Sequence, residues 1–382
     1  MKRIIIILTA IIAMACTTKT KTNVGENRKD EGAGKDIYVL GYVQDTTFID
    51  ENAEFPEGRI YKSVYWKNGI AKNISDEIGT PDGYDMFTVW DMVAINGKLV
   101  YLGVAYNKLK NESTFFIWKD GRFRELDGGS EVNTPKLVDI GGDVAVVGCT
   151  EKAGSQRYII SIPVMWDNNG KKKTLDMEGY SNCDLHSAFA HNGDVYACGR
   201  VYNDDNTKGV GAIWKNGKLT TYTAPGGRVT MYGFTTIGVS GNDIYTTMVC
   251  NSDSPNTSDL TLWKNGKPVE TLVRGGDLPI AHCIAINGND VYVGGSENKR
   301  VEGKDIETES LARIWKNGKE MKIDQGKGLG YVSSIVVDEG NVYACGNIDF
   351  GGVLWTNGKH MDLPGANGMD CAKKVIIVPK KQ

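Results

Sequence analysis

The chain has almost no excess of charge. Its 44 Lys and Arg against 47 Asp and Glu leave a net charge of −3. The basic stripe that a nucleic-acid surface needs is therefore missing. There is no C-x-x-C, no EF-hand-like loop, no phosphate-cradling glycine loop and no G-x-S-x-G, which removes the local signatures of several metal, nucleotide and hydrolase sites. His186 and His282 are far apart in the chain and lack the clustered Cys, Asp or Glu spacing of a metal centre. His282 and Cys283 are neighbours, so on a strand they point to opposite faces and cannot form a nucleophile pair. Cys183-Asp-Leu-His186 offers little more. No catalytic residue, metal or cofactor is expected. The N-terminal apolar run, Ile4 to Ala13, is too short to span a bilayer as a helix.

What the chain does have is a repeat. A Trp-Lys-Asn-Gly signature begins at Trp66, Trp214, Trp263 and Trp315, with variants at Trp118 (Asp for Asn), Trp355 (Thr for Lys) and Trp166 (Asp-Asn-Asn-Gly). The seven copies recur at intervals of 40 to 52 residues and use seven of the eight tryptophans. Periods of that size mark a propeller or another repeat array. Asn-Gly between two apolar runs is a strong hairpin signal, because both central residues of a type I′ turn need positive φ. In the clearest copy, Cys283–Ile286, Val291–Gly295, Leu311–Trp315 and Lys319–Ile323 read as four antiparallel strands, named A to D from the centre outward.

Seven B strands can be found: Ile37–Tyr42, Leu99–Gly103, Val144–Gly148, Val195–Gly199, Ile244–Met248, Val291–Gly295 and Val342–Gly346. The first has no A strand before it. The apolar run Val375–Val378 has no B strand after it, and it supplies the missing partner. The expected fold is all-β: a seven-bladed β-propeller with four antiparallel strands per blade, over residues 35–382, closed velcro-fashion by the C-terminal strand in blade 1. Closure removes exposed sheet edges. The repeated tryptophans should pack between blades. Cys149, Cys198 and Cys345 read as small apolar filler at one repeat position; a disulfide or two is open to an exported chain.

The N-terminus gives an address. Lys2 and Arg3 precede the apolar core, and Ala13 and Ala15 flank Met14 just before Cys16. This resembles the lipobox of bacterial lipoproteins. The resemblance implies a signal peptide over residues 1–15, acylation of Cys16, and membrane anchoring through that residue. Residues 16–34 are polar and nearly devoid of apolar side chains, as in a flexible tether. Thr17 after the Cys points, by lipoprotein analogy, to the outer membrane, on its periplasmic side rather than at the cell surface. The segment GNDVYVGG followed by Ala-Arg-Ile-Trp-Lys-Asn-Gly resembles the WKNG-repeat propellers of bacterial exported proteins. That family brings a fold and little activity. The blades are also kelch-like, though only Gly294-Gly295 matches the kelch glycine doublet well.

The A–B and C–D turns are short, whereas segments such as 44–59, 203–210, 251–259 and 296–310 are long and irregular. They mark the face on which binding is expected. The residue before each apolar A run is Lys374, Asp91, Lys136, His186, Thr235, His282 and Ser333 in blade order. All are polar and should ring the mouth of the central channel. Trp90, Tyr232 and Tyr331 adjoin them. Hydrogen-bonding groups beside aromatic faces suit a sugar or peptide. The expected role is a lipid-anchored binding or scaffold protein for a glycan, peptide or protein partner. The alternative is an envelope or polysaccharide-processing enzyme acting at the mouth.

Overall fold

The computed structural model describes residues 34–44, 61–153, 159–203, 209–227, 230–253, 257–300, 308–327, 329–368 and 371–380. The expected signal peptide, Cys16 and most of the tether lie outside them, as does most of 44–59. Among the described residues no helix is long and apolar enough to cross a membrane.

Seven antiparallel four-stranded blades form a closed wheel. Blade 2 runs Met86–Ile95, Lys98–Asn107, Glu112–Lys119, Arg122–Glu125, with each strand bonded to the next. Blades 3, 4 and 7 repeat this order from Val132, Asn182 and Gly330. Blade 1 differs as its sequence requires. Lys35–Gln44, Tyr61–Lys67 and Ile70–Asn73 take their inner strand from Ala372–Pro379, with Ile37 opposite Ile377 and Val39 opposite Val375. The inner strands touch one another in order around the hub, and Ala372–Pro379 meets both Gly330–Asp338 and Met86–Ile95.

Blades 5 and 6 share one continuous strand, Lys267–Asn287. Its first half is the outer strand of blade 5, against Ser258–Lys264; its second half is the inner strand of blade 6, against Asp290–Arg300. Gly275 and Leu278 have positive φ there, and the pairing register shifts. The chain bends at these residues and keeps its strand pairing on either side of them. The expected irregular loop 296–310 is likewise shorter. Residues up to Arg300 and from Thr308 remain paired.

The core is divided in the same way. Buried apolar side chains among the described residues fall into seven clusters, one at each blade interface. Each signature Trp packs toward the preceding blade. Trp214 of blade 4, for example, packs with Ala145 and Val147 of blade 3. Six of the seven are buried; Trp118 is half-buried against Tyr101. A buried Trp removes about 150–250 Å² from water, on the order of 4–6 kcal/mol before chain entropy is counted. Four of the indoles also donate across the interface to a carbonyl of the preceding blade or its exit loop: Trp66 to Pro364, Trp166 to Asp127, Trp214 to Asp176 and Trp355 to Asp324, at 2.7–3.0 Å.

The rest of the motif is a clamp. In blade 4, Asn216 has a φ of 52° at the C–D turn. Its Nδ2 donates to Asp194 at the start of strand B. Lys215 pairs with the same carboxylate at 2.8 Å and lies 5.3 Å over the Tyr196 ring. The same four partners recur as Asp36, Tyr38, Lys67, Asn68; as Asp243, Tyr245, Lys264, Asn265; and as Asp290, Tyr292, Lys316, Asn317. Trp-Lys-Asn-Gly is therefore a structural unit: packing, ion pair, clamp and turn.

Cys149 does not share the repeat position of Cys198 and Cys345. Those two pair with the residue before the signature Trp, Ile213 and Leu354, whereas Cys149 pairs with Pro163, three before Trp166. The glycines align, not the cysteines. No disulfide joins any two of the seven described cysteines.

Candidate functional site

The hub is shaped by a bulge in every inner strand. Where strand B carries its glycine, strand A inserts an extra residue. His186 lies between Leu185, opposite Gly199, and Ser187, opposite Cys198. Trp90, His282 and Ser333 are inserted in the same way in blades 2, 6 and 7, and Thr235 in blade 5. The glycine is needed for close approach: a Cβ at Gly199, Gly295 or Gly346 would lie 1.8–2.0 Å from the carbonyl oxygen of Asp184, Ile280 or Tyr331. Bulges re-aim side chains and break the strict alternation of a strand.

The seven expected ring residues consequently occupy two register positions. His186, Thr235, His282 and Ser333 are the inserted residues. Asp91, Lys136 and Lys374 are the paired residues that follow the irregularity. Not all of them face open space. The Thr235 hydroxyl bonds that of Thr247 within its own blade, and Ser333 donates to the Ala372 carbonyl of blade 1.

Asp91 is the electrostatic centre of blades 1 to 3. Its carboxylate is almost buried. Lys374 Nζ lies 2.6 Å from Oδ1, which also accepts the Met92 N–H; Oδ2 accepts the N–H of Leu137 in blade 3 at 2.9 Å. One carboxylate thus ties three blades together. With both oxygens engaged, it leaves Lys136 without an ion pair or hydrogen bond among the described residues. Burial pulls the Lys136 ammonium below the usual lysine range. Asp91 opposes that shift, and Lys374 and Lys373 add to it. The cation is wrapped by the hub yet keeps some solvent contact.

His186 stands beside it on blade 4. Burial holds its ring below the ordinary histidine range; Asp184 acts upward and Lys136 downward. A bond to the Tyr232 backbone favours the protonated ring, so the ring is its donor. The other nitrogen, Nε2, is buried with no hydrogen-bond partner. The Tyr232 side chain meets the imidazole edge-on at 6.1 Å, and Tyr331 meets the exposed His282 in the same way at 5.8 Å. Trp90 is half exposed and packs edge-on against Phe115.

Three participants were not legible beforehand. Asp184, two residues before His186 on the same strand, forms an ion pair with Arg200, whose Nη2 and Nε both donate to Asp184 Oδ2 at 2.6 and 3.0 Å. Lys373 is the inserted residue of blade 1, lying over the Tyr42 ring at 5.6 Å. The one available signal was the strand-B glycine, which precedes Arg200 and marks the bulge in every blade except the fifth, where Met248 takes its place.

The chain is thus a seven-bladed, velcro-closed propeller with a charged, bulge-lined hub. No family model and no curated protein matches it. Similar solved structures include the β-propeller domain of the trilobed protease from Pyrococcus furiosus, at 12% identity and a TM-score of 0.45, over 73% of this chain and 83% of that one. An acylaminoacyl peptidase of Pyrococcus horikoshii (14%, TM-score 0.44) is matched over 73% of this chain and 46% of its own. A Trypanosoma rangeli sialidase (9%, TM-score 0.39) is matched over 88% and 59%. The likeness concerns the fold alone. Blade number and closure rest on this chain's own strand pairing.

Proposed function

We propose that this protein is a lipid-anchored binding protein of the cell envelope, held through Cys16 at the periplasmic side of the outer membrane. Its propeller presents the channel mouth to a glycan, peptide or protein partner. The observation that carries this reading is Lys136, a half-buried cation of the hub that makes no ion pair or hydrogen bond among the described residues. Even partial burial of an ammonium with no ion pair costs stability. Natural chains tolerate such a cost at sites that meet a ligand. Asp91, whose oxygens are filled by three donors, fixes the geometry and sets the charge around it.

The test is a binding screen against glycans and peptides with the soluble form lacking Cys16, run beside the His186→Ala/His282→Ala variant. A ligand that binds the parent and is lost in a folded variant supports the reading. Binding at unchanged affinity in the variant removes the mouth from consideration. The lipid anchor is tested separately by mass spectrometry of the mature N-terminus.

A further inference from the structure

We infer that Cys149 and Cys183 are an oxidation site, joined into one disulfide between blades 3 and 4 when the chain folds in contact with a disulfide oxidant. This goes beyond the binding reading and stands whether or not the mouth takes a ligand.

The two sulfurs lie 3.4 Å apart, and both residues are buried. A disulfide bond is ~2.0 Å long, so about 1.4 Å remains to be closed. Shared between two side chains, that is a small turn of each about its Cα–Cβ bond. A cystine also needs its two backbones close together. The seam supplies this. Asn182, next to Cys183, spans it with one side chain: Oδ1 accepts the Ser161 N–H of blade 3 at 2.9 Å, and Nδ2 donates to the Ile159 carbonyl at 3.1 Å. Cys183 Sγ itself lies 3.3 Å from the Ser161 carbonyl oxygen. One short side chain therefore fills the space between the sheets here. Cys149 is held from both sides, paired with Asn133 in strand A and Pro163 in strand C. The bond can form without either strand changing its partners. The thiols of Cys198, Cys283 and Cys371 are directed at the carbonyls of Phe234, Gly294 and Gly368.

The chemistry is thiol–disulfide exchange. One cysteine thiolate attacks the oxidant's S–S bond and releases a thiol; the second thiolate displaces the other half. Two protein S–H bonds and one oxidant S–S bond are lost. One protein S–S bond and two oxidant S–H bonds form, and two electrons pass to the oxidant. The contact with Cys149 and burial push the Cys183 thiol up, and the attack needs a thiolate. Exchange therefore belongs to folding, before the seam closes. An exported chain meets such an oxidant as it folds.

The two cysteines are 34 residues apart in sequence, so the bond restrains the unfolded chain. Cys183 precedes His186 on its strand, and Asn133, opposite Cys149, precedes Lys136. The staple braces the sector of the hub that carries both.

The experiment is cell-free synthesis of the full chain carrying Cys16→Ser in a buffer of reduced and oxidised glutathione. Free thiols are then blocked with N-ethylmaleimide, and the unreduced digest is read by mass spectrometry. Refolding from urea in the same buffer is a second route to the folded chain, and circular dichroism shows the fold. Peptides linked through Cys149 and Cys183 are expected, with the other described cysteines labelled. Reduction should lower the melting temperature by about 5 °C, and Cys149→Ala should show no such shift. A folded product with both thiols labelled overturns the inference, as does either cysteine joined to a different one. A reduction-sensitive melt that persists in Cys149→Ala also overturns it.

Discussion

Asn216 and Val195 exchange two hydrogen bonds, each 2.8 Å: the Asn216 N–H donates to the Val195 carbonyl, and the Val195 N–H donates to Asn216 Oδ1. A turn residue thereby fixes the first pair of the neighbouring strand. The same exchange joins Asn68 to Ile37, Asn265 to Ile244, Asn317 to Val291 and Asn357 to Val342. Asn216→Ala removes both side-chain bonds and leaves a non-glycine residue with positive φ. The expected loss is about 2–3 kcal/mol, read from urea unfolding. Asn216→Gly relieves the backbone strain and should recover part of that loss.

The tryptophans separate packing from hydrogen bonding. Trp214 donates to Asp176, whereas the Trp263 indole N–H is buried without a partner. Replacing either by Phe removes similar volume. Trp214→Phe should therefore cost about 1–2 kcal/mol more than Trp263→Phe. Equal losses would show that the interblade bond adds nothing.

Stability should form a plateau in pH with three limbs. Side-chain bonds to Lys and Asn hold Asp194, Asp243 and Asp290 below the usual carboxylate range, and the same bonds outweigh burial at Asp36. Their contribution is complete above the unfolded value of about 3.9 and is lost as pH falls through the lower folded values. The lysines of these pairs are raised by their Asp partners. Their share is present below about pH 10 and is lost as pH rises through the folded values. His186 is depressed, so the unfolded chain binds its proton first, near pH 6.5. Stability should already decline below that pH. Urea midpoints across pH 3–11 give the profile, and His186→Gln should flatten the limb between about pH 5 and 6.5.

Lys136→Met should make the protein more stable. It exchanges a half-buried ammonium that has no ion pair for an apolar chain of similar length. A gain of about 1 kcal/mol raises the melting temperature by roughly 1–2 °C in a chain of this size. A drop would mean that Lys136 braces the hub, and the carrying observation for a ligand site would be lost.

Blade number and closure could be read in advance because their signals are local. Each Asn-Gly turn and each Trp announces itself within a few residues, and Val375–Val378 stood out as an unpaired apolar run. The hub was only partly legible. A bulge inserts a residue without marking it, so counting from the start of an apolar run mixed inserted His186 and His282 with paired Asp91 and Lys136. The sign of the error is visible in Cys149, whose glycine precedes it where that of Cys198 follows. Asp184 with Arg200 escaped notice because their pairing depends on two strands meeting across a bulge. Gly275-Gly276-Asp277 lies within a strand shared by two blades, a continuity that no local signal announces.

The most direct measurement is amide hydrogen exchange along Ala372–Pro379. If the terminal strand closes the wheel, Val375 and Ile377 should exchange as slowly as Val39 and Ile37 opposite them, and in the same cooperative unit as the inner strands of blades 2 and 7. Fast exchange over residues 372–379, with the other blades still protected, would mean an open wheel, and the charged hub that joins Lys374 to Asp91 would go with it.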